Sequence, residues 1–363
     1  MSMNPQINVS ENLCDPEWDE FVAAAPGGHH VQSALWGQVK AVNHWEVIRI
    51  TAREGGTLVG GAQLLRRTIA RTPASVIYLT KGPLVTRGDS EVARQILQQA
   101  SLVCKKKHAV IFAIQPPNNG DWISACLPSW GFAPSKLELA PVASTLLDLV
   151  PSLDEIMGRM KRQTRQNIRR GEQAGVTVRD GRENDIDLFY ELHTTTSTRQ
   201  GFSPYAKRYF THMQEVLKPK GYFKLFVAEY GGQPVSSLLT VPFGDTVIAK
   251  ILGCSGEHSG LRPNDCLFWN AIQWSKTNGY RYFDFEGIDL QNARAILTGE
   301  TLPAHFQHTP DFFKLGYGGE VVIFPQAYES VPNPFVNWIY KKASPTVGGD
   351  SMASSIMDRL RKI

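Results

Sequence analysis

Hydrophobic and polar positions along this chain switch period from segment to segment, and the order of the switches occurs twice. Residues 51–62 and 227–238 each read as a strand, a Gly-Gly pair and a second strand, which is a hairpin signal. Ala52, Gly55, Gly56 and Val59 fall on Ala228, Gly231, Gly232 and Val235 at one constant offset. The order of elements after each hairpin also repeats. A strand (75–79; 246–252) leads to a polar Gly/Pro loop (81–89; 255–265), a helix (91–106; 267–277) and another strand (109–114; 281–285). The pattern therefore predicts two related α/β domains of mixed sheet, each a helical entry, a hairpin, then strand–loop–helix–strand. Strand-to-helix loops of this kind expose helix N–H groups that suit anions.

Between the copies lies a helix with no counterpart. Ser152 and Glu155 form a capping box, and the helix is expected to run on to Gly171 or Gly175. Leu153, Met157, Met160, Thr164 and Ile168 recur at helical spacing and predict its packed stripe. Arg159, Lys161, Arg162, Arg165, Arg169 and Arg170 cover the rest, with no acid among them before Glu172. A solvated face explains such a run, and so does binding to a polyanion.

Two closing blocks carry the best candidate chemistry. Gly279-Tyr-Arg-Tyr-Phe-Asp-Phe-Glu-Gly-Ile288 reads as a helix exit, a strand of alternating aromatic and charged residues, and a turn at Gly287. Asp284 and Glu286, two apart, are expected to share a strand face, with Phe283 and Phe285 in the core. Asp284 could act as a base or orient an amine, or simply cap the Gly287 turn. In Phe312-Phe-Lys-Leu-Gly-Tyr-Gly-Gly-Glu320 one lysine stands among aromatics and glycines, so Lys314 is expected to point into a confined space. The plainer alternative is a lysine snorkelling over a closing strand.

Composition narrows the class. The chain has 363 residues, 42% hydrophobic and 20% charged, enough for two domains of a globular protein. Its formal charge of +4 does not by itself imply nucleic acid. No apolar run reaches the ~18 residues of a membrane span, and the first residues show no secretory signal. Cys14, Cys104, Cys126, Cys254 and Cys266 are odd in number and scattered, without a C-x-x-C, which suggests reduced cysteines in a cytoplasmic protein. His305-x-x-His308 lacks a third ligand at metal spacing, and no metal is expected. There is no G-x-S-x-G elbow.

Several blocks taken in order resemble the Fem-type aminoacyltransferases, the peptidoglycan-bridge enzymes of the acetyltransferase (GNAT) superfamily. They are Gln32-Ser-Ala-Leu-Trp-Gly-Gln-Val-Lys40, Tyr78-Leu-Thr-Lys-Gly-Pro83 and the basic run Arg165-Gln-Asn-Ile-Arg-Arg170. Thr196-Ser-Thr-Arg-Gln-Gly-Phe202, Gly253-Cys-Ser255, Pro263-Asn264 and the two closing blocks complete the set. The matches span residues from about 16 to 325. The resemblance implies two tandem GNAT-like domains: 1–147, completed by 318–342 returning to it; 148–317, opened by the basic helix; and a flexible tail, 343–363. It also implies transfer of an amino acid from aminoacyl-tRNA, as co-substrate, to an amino group of a cell-wall precursor in the cytoplasm. No other cofactor is implied, and peripheral contact with the inner face of the membrane would follow from a lipid-linked acceptor.

On that reading Lys161, Arg162, Arg165, Arg169 and Arg170 hold tRNA backbone. The family's Phe-Lys pair beside the transfer channel falls on Phe313-Lys314. Lys314 would stabilise the oxyanion of ester aminolysis, with Asp284 the candidate base. Trp36, Lys40, Tyr78, Arg199, Ser255 and Glu286 are the candidate substrate contacts. A core tryptophan beside an exposed lysine explains the spacing of Trp36 and Lys40 and is the favoured reading of the pair. Leu84-Val-Thr-Arg87 stands where many members carry an acid after the Gly-Pro loop. That departure supports an alternative: an acyl-CoA- or acyl-carrier-dependent N-acyltransferase acting on a surface-polysaccharide or nucleotide-sugar intermediate. Against CoA, neither 81–89 nor 258–264 has the Q/R-x-x-G-x-G/A spacing, and Pro263 removes an N–H. A non-catalytic tRNA-binding protein is the third reading.

Overall fold

A computed structural model of the chain describes residues 5–69, 71–86 and 88–332; Arg87 and the expected tail, 343–363, lie outside the described residues. The elements run β1 (Gln6–Ser10), α1 (Pro16–Ala24), α2 (Ala34–Ala41), β2 (Glu46–Glu54), β3 (Thr57–Thr68), β4 (Ser75–Thr80) and β5 (Leu84–Val85). Next come α3 (Ser90–Lys106), β6 (Ala109–Gln115), α4 (Asp121–Cys126), β7 (Ala133–Pro134) and β8 (Ala143–Asp148). Then follow α5 (Leu153–Arg159), α6 (Arg162–Gln173), β9 (Thr177–Asp180), α7 (Asp185–Gln200), α8 (Lys207–Leu217), β10 (Lys224–Tyr230), β11 (Gln233–Phe243) and β12 (Thr246–Cys254). The last are α9 (Pro263–Thr277), β13 (Tyr282–Asp284), α10 (Leu290–Thr298), α11 (Pro310–Leu315), β14 (Glu320–Ile323) and β15 (Tyr328–Ser330).

The chain divides into two compact units, one of Met1–Val142 with the chain from Phe324 on, the other Ala143–Ile323. The first holds a sheet ordered β1-β2-β3-β4-β6-β15-β7, with β5 on β3; the second, taken from its opposite edge, is ordered β9-β10-β11-β12-β13-β8-β14. All neighbours are antiparallel except β4–β6 and β12–β13, the parallel pairs that need a crossover helix, here α3 and α9. Both hairpins turn on two glycines with positive φ, Gly55 and Gly56 in one and Gly231 and Gly232 in the other, the geometry that matches strand twist. Each also carries an irregularity at the same place, between Ala52 and Arg53 and between Ala228 and Glu229. The duplication is thus visible in backbone detail.

The borders differ from the expected 147/148 and 317/318. β8 pairs with β13, and β14 with β8, so residues 143–148 and 320–323 belong to the second sheet. Among the described residues only β15 crosses back, pairing with β6 and β7. In each sheet the strand beside the parallel pair therefore comes from beyond the repeating stretch.

In the first unit α3 buries Val92, Ile96, Ala100 and Val103 against Ile50, Leu64 and Phe112, a spacing of one helical face. Gln32 ties the start of α2 to the sheet: its amide donates to the carbonyls of Gln63 (3.1 Å) and Thr80 (2.7 Å), and its Oε1 accepts from Gln63 N at 2.8 Å. In the second unit α9 packs Phe268 and Ile272 onto Phe226, Phe283, Phe285 and Tyr317. No helix among the described residues is long and apolar enough to cross a membrane.

The basic helix is two helices, not the single one expected. The capping box is present, with Glu155 N donating to Ser152 Oγ at 3.2 Å and Ser152 N to Glu155 Oε2 at 2.8 Å. The helix then stops because Met160 and Lys161 are extended. Met160 enters the core, and Lys161 N donates to Gly316 O at 2.8 Å instead of continuing the ladder. Ile168 and Thr164 are buried as read, with Ile156 a further core residue. Phe283 is fully buried among aromatics, so Phe283→Ala is expected to lower stability by about 3–5 kcal/mol. Chemical denaturation reads this directly, and a loss below about 1 kcal/mol would contradict this core.

Candidate active site

The second unit gathers the closing blocks into one cluster. β13 ends at Asp284, and the chain leaves it through a turn in which Glu286 (φ 44°) and Gly287 (φ 77°) are both left-handed. Glu286 therefore lies beyond the strand, and the expected shared face with Asp284 does not form. Asp284 instead caps the turn. It is 6% exposed, its Oδ1 accepts from Glu286 N at 2.8 Å, and the same oxygen accepts from the Ser144 hydroxyl. This is the turn-cap alternative, and these bonds fix the carboxylate to the turn rather than freeing it as a base. Phe283 and Phe285 are core, as expected.

Lys314 lies on the helix α11, not on a closing strand. Thr309 caps that helix, its Oγ1 accepting from Phe312 N at 3.3 Å. Lys314 Nζ donates to Glu286 O at 2.6 Å and also to Gly287 O. Two of its three N–H groups are thus set on carbonyls that the left-handed turn aims at them. Burial pushes the ammonium below the usual lysine range, while Glu286, Asp311 and Asp284 push back. Phe313 supports the helix from below, edge-on to Phe268 and Tyr317 at centroid distances of 5.2 and 5.4 Å.

The glycine run after Lys314 passes against the break in the basic helix. A Cβ at Gly316 would collide with Thr164 Oγ1, and one at Gly318 would lie 2.6 Å from Arg159 O. Close approach, rather than turn geometry alone, explains these glycines. Lys161 Nζ lies 4.5 Å from the centre of the Phe312 ring, a cation–π contact. Arg165 is spent locally, donating to Met160 O and, at 3.2 Å, to Gly158 O. Arg162, Arg169 and Arg170 are exposed and make no ion pair among the described residues.

Arg199 ends α7, and Gly201 closes that helix in the left-handed form. Its guanidinium lies against Gly256, where a Cβ would collide with Nη1, so the Ser255 loop and Arg199 come together. Ser255 Oγ accepts from Glu257 N at 3.1 Å and donates to Val235 O at 3.2 Å, which shapes the loop. In the first unit Trp36 is 5% exposed and edge-on to His30. Packing closes over the ring, as in the core-tryptophan alternative. Lys40 Nζ stands 5.4 Å from its centre, and Tyr78 packs edge-on to Trp45 at 4.7 Å, apart from that pair.

Both strand-to-helix positions are closed to a phosphate by the chain itself. Asp89 caps α3, accepting from the N–H groups of Glu91 and Val92 at 2.9 and 3.1 Å. At α9 the first turn holds Pro263 and the carboxylate of Asp265, and α6 covers it. Asn167 donates to Asp265 Oδ1 at 3.1 Å, and a Cβ at Gly171 would collide with Cys266 Sγ. His305 and His308 are exposed on a short turn, and no metal-holding group of three ligands occurs among the described residues. Sequence reasoning missed Lys250, Ser144, Asp265 and Asp311. Of these only Lys250 carried a signal, as the one charge in an otherwise apolar strand.

Comparison with known proteins agrees with this architecture. Residues 13–121 match the FemAB family, and residues 158–292 match the acetyltransferase (GNAT) domain. A lipid II:glycine glycyltransferase of Staphylococcus haemolyticus (strain JCSC1435) is 27% identical over 234 residues, 62% of this chain and 56% of that protein. The chain thus spans little more than half the length of the curated relatives it matches. A crystal structure of FemX superposes with a TM-score of 0.79 at 18% identity, covering 92% of this chain and 99% of that one. L-PGS from Bacillus licheniformis gives 0.56 at 13% identity, covering 97% and 98%. The chain thus resembles the FemAB family in its first part and a GNAT domain in its second, and its fold is the tandem GNAT-like one.

Two measurements probe this geometry. Gly287→Ala must hold a Cβ at φ 77° and is expected to lower stability by about 1–2 kcal/mol; an unchanged denaturation midpoint would contradict the left-handed turn. Burial raises the Asp265 carboxyl from 3.8 to about 6. A raised carboxyl stabilises the fold only while protonated, so its contribution is complete below the unfolded value near pH 4. It is lost as pH rises through about 6. Asp265→Asn is therefore expected to flatten the decline in stability between those values, by at most about 3 kcal/mol; pH-dependent urea melts that superpose with wild type would refute it.

Proposed function

We propose that this protein is an aminoacyltransferase that moves an amino acid from aminoacyl-tRNA to an amino group of a peptidoglycan precursor, in formation of a cell-wall peptide bridge or branch. The observation that carries the proposal is the state of Lys314. It is a half-buried ammonium with two N–H groups fixed on carbonyls, on a segment whose Gly316 carbonyl accepts the Lys161 N–H at the start of the basic helix. A third N–H is left to meet negative charge as it forms.

In the proposed reaction the acceptor amine attacks the ester carbonyl carbon. The new C–N bond forms, the C–O bond to the tRNA ribose breaks, and the amine proton ends on the released ribose hydroxyl. No further reactant is consumed. Lys314 donates to the tetrahedral oxyanion, a contact stronger in the transition state than in the ground state. Asp284 Oδ1 is engaged in its turn, and in the proposed step the leaving oxygen itself takes the proton.

The donor is argued from two features. Arg162, Arg169 and Arg170 present unpaired charge on α6, which favours a phosphate backbone. CoA, by contrast, would need open N–H groups at a helix start; Asp89 caps those of α3, and at α9 Pro263 lacks one while the carboxylate of Asp265 occupies the first turn. The acceptor is argued from the relatives, which are lipid II:glycine glycyltransferases. Arg199 and the Ser255 loop, which come together in the second unit, are the proposed acceptor contacts. Charged tRNA and wall precursors place the reaction in the cytoplasm, at the inner face of the membrane when the acceptor is lipid-linked.

Purified protein incubated with mixed charged tRNAs and wall precursors is expected to add one aminoacyl mass to a precursor. Transfer from acyl-CoA with none from tRNA would overturn the proposal. Lys314→Met is expected to lower kcat/KM by about 10²–10³. Arg169→Glu with Arg170→Glu is expected to weaken tRNA binding uniformly across sequences and reduce the slope of log affinity against log salt by roughly two.

A further inference from the structure

We propose that Lys250 is a positioning residue for Lys314, acting through Glu286. Lys250 is the single charged residue of β12, an interior strand of the second sheet between β11 and β13. Its ammonium forms an ion pair with Glu286 Oε1. Glu286 in turn offers its main-chain carbonyl to Lys314.

The backbone of Glu286 explains why the pairing matters. A glutamate at φ 44° occupies a region that costs an L-residue roughly 1–2 kcal/mol. Such a residue persists only when its surroundings over-determine it, and strain of this kind gathers at functional sites. Glu286 is held at three points: its N–H by Asp284 Oδ1, its carboxylate by Lys250 and its carbonyl by Lys314. Without Lys250 the carboxylate loses its anchor, and the residue can relax toward extended backbone. That rotation takes its carbonyl away from Lys314.

Charge runs in the same direction. Glu286 and Asp284 on the turn and Asp311 on its own helix face Lys314, with Lys250 behind Glu286 and Lys161 of α6 over the neighbouring Phe312 ring. Burial pushes the Glu286 carboxyl up, and Lys250 is the main group holding it down. Burial pushes Lys314 down, and Glu286 leads the groups holding it up. Removing Lys250 therefore favours neutral Glu286, and Lys314 then sheds its proton at lower pH. A purely structural lysine would not move that titration.

Competitive acetylation of the full chain with acetic anhydride across pH, read at the Lys314 peptide by mass spectrometry, measures the midpoint without any substrate. In Lys250→Met and in Glu286→Gln the Lys314 midpoint is expected to fall by roughly one pH unit, and Lys250→Arg should restore it. If Lys250→Met does not fold, Glu286→Gln carries the test. An unchanged midpoint in the folded variants overturns the inference. The kinetic arm rests on the proposed transfer. The alkaline limb of kcat should move with the midpoint while KM for charged tRNA stays within about two-fold. A shifted midpoint in a protein that transfers nothing would sink the functional reading and leave the coupling standing. An unshifted one in an active enzyme would do the reverse.

Discussion

Two consecutive left-handed residues at the end of an interior strand, Glu286 and Gly287, govern the geometry of the second unit's site. Extended backbone there would point successive carbonyls to opposite sides of the strand, toward its two neighbours. The left-handed pair turns both toward one point, and Lys314 Nζ occupies it. The position of the lysine then fixes α11, the glycine run behind it and the break between α5 and α6, because Lys161 N donates to Gly316 O. One turn thus sets both the cation and the start of the basic helix. Strain at Glu286 is tolerated because three separate groups hold it.

The duplicated fold supplies two strand–helix crossovers, and the chain uses neither as an open phosphate cradle. Asp89 fills one helix start and Asp265, under the cover of α6, fills the other. Asp89 satisfies N–H groups that would otherwise favour an anion, and the Asp265 carboxylate puts negative charge in the first turn of α9. The proposed chemistry lies instead at the turn after β13, a position that depends on features without counterpart in the first unit: α5, α6 and the α11 segment. Divergence after duplication is therefore concentrated at the helix N-termini and at the strand exits, while the hairpins keep even their irregularity in place.

Local signals were legible in the sequence because their causes are local. The Gly-Gly hairpins, the Ser152–Glu155 capping box and the helix at 91–106 all depend on residues within a few positions of one another. The order of elements, and with it the tandem fold, came from the repeat. Features that were not legible depend on distant partners. The border at 142/143 requires β8 to pair with β13 and β14, more than a hundred residues away. Gly158 stands two residues before the break at Met160, but the carbonyl that takes the Lys161 N–H belongs to the distant Gly316. Trp36 looked available because its helix carries Lys40, but tertiary packing closes over the ring. Lys250 was hidden inside an apolar strand, and its role needs the unexpected backbone of Glu286.

The central claim is that Lys314 is the group that meets the reacting carbonyl. A crystal structure with a non-hydrolysable analogue of an aminoacylated tRNA 3′ end would test it most directly. The carbonyl oxygen of the analogue is predicted to lie within hydrogen-bond distance of Lys314 Nζ, about 3 Å, with the Glu286 and Gly287 carbonyls still engaged. An analogue bound with its ester remote from Lys314, or a lysine turned out of its carbonyl cradle, would contradict the claim.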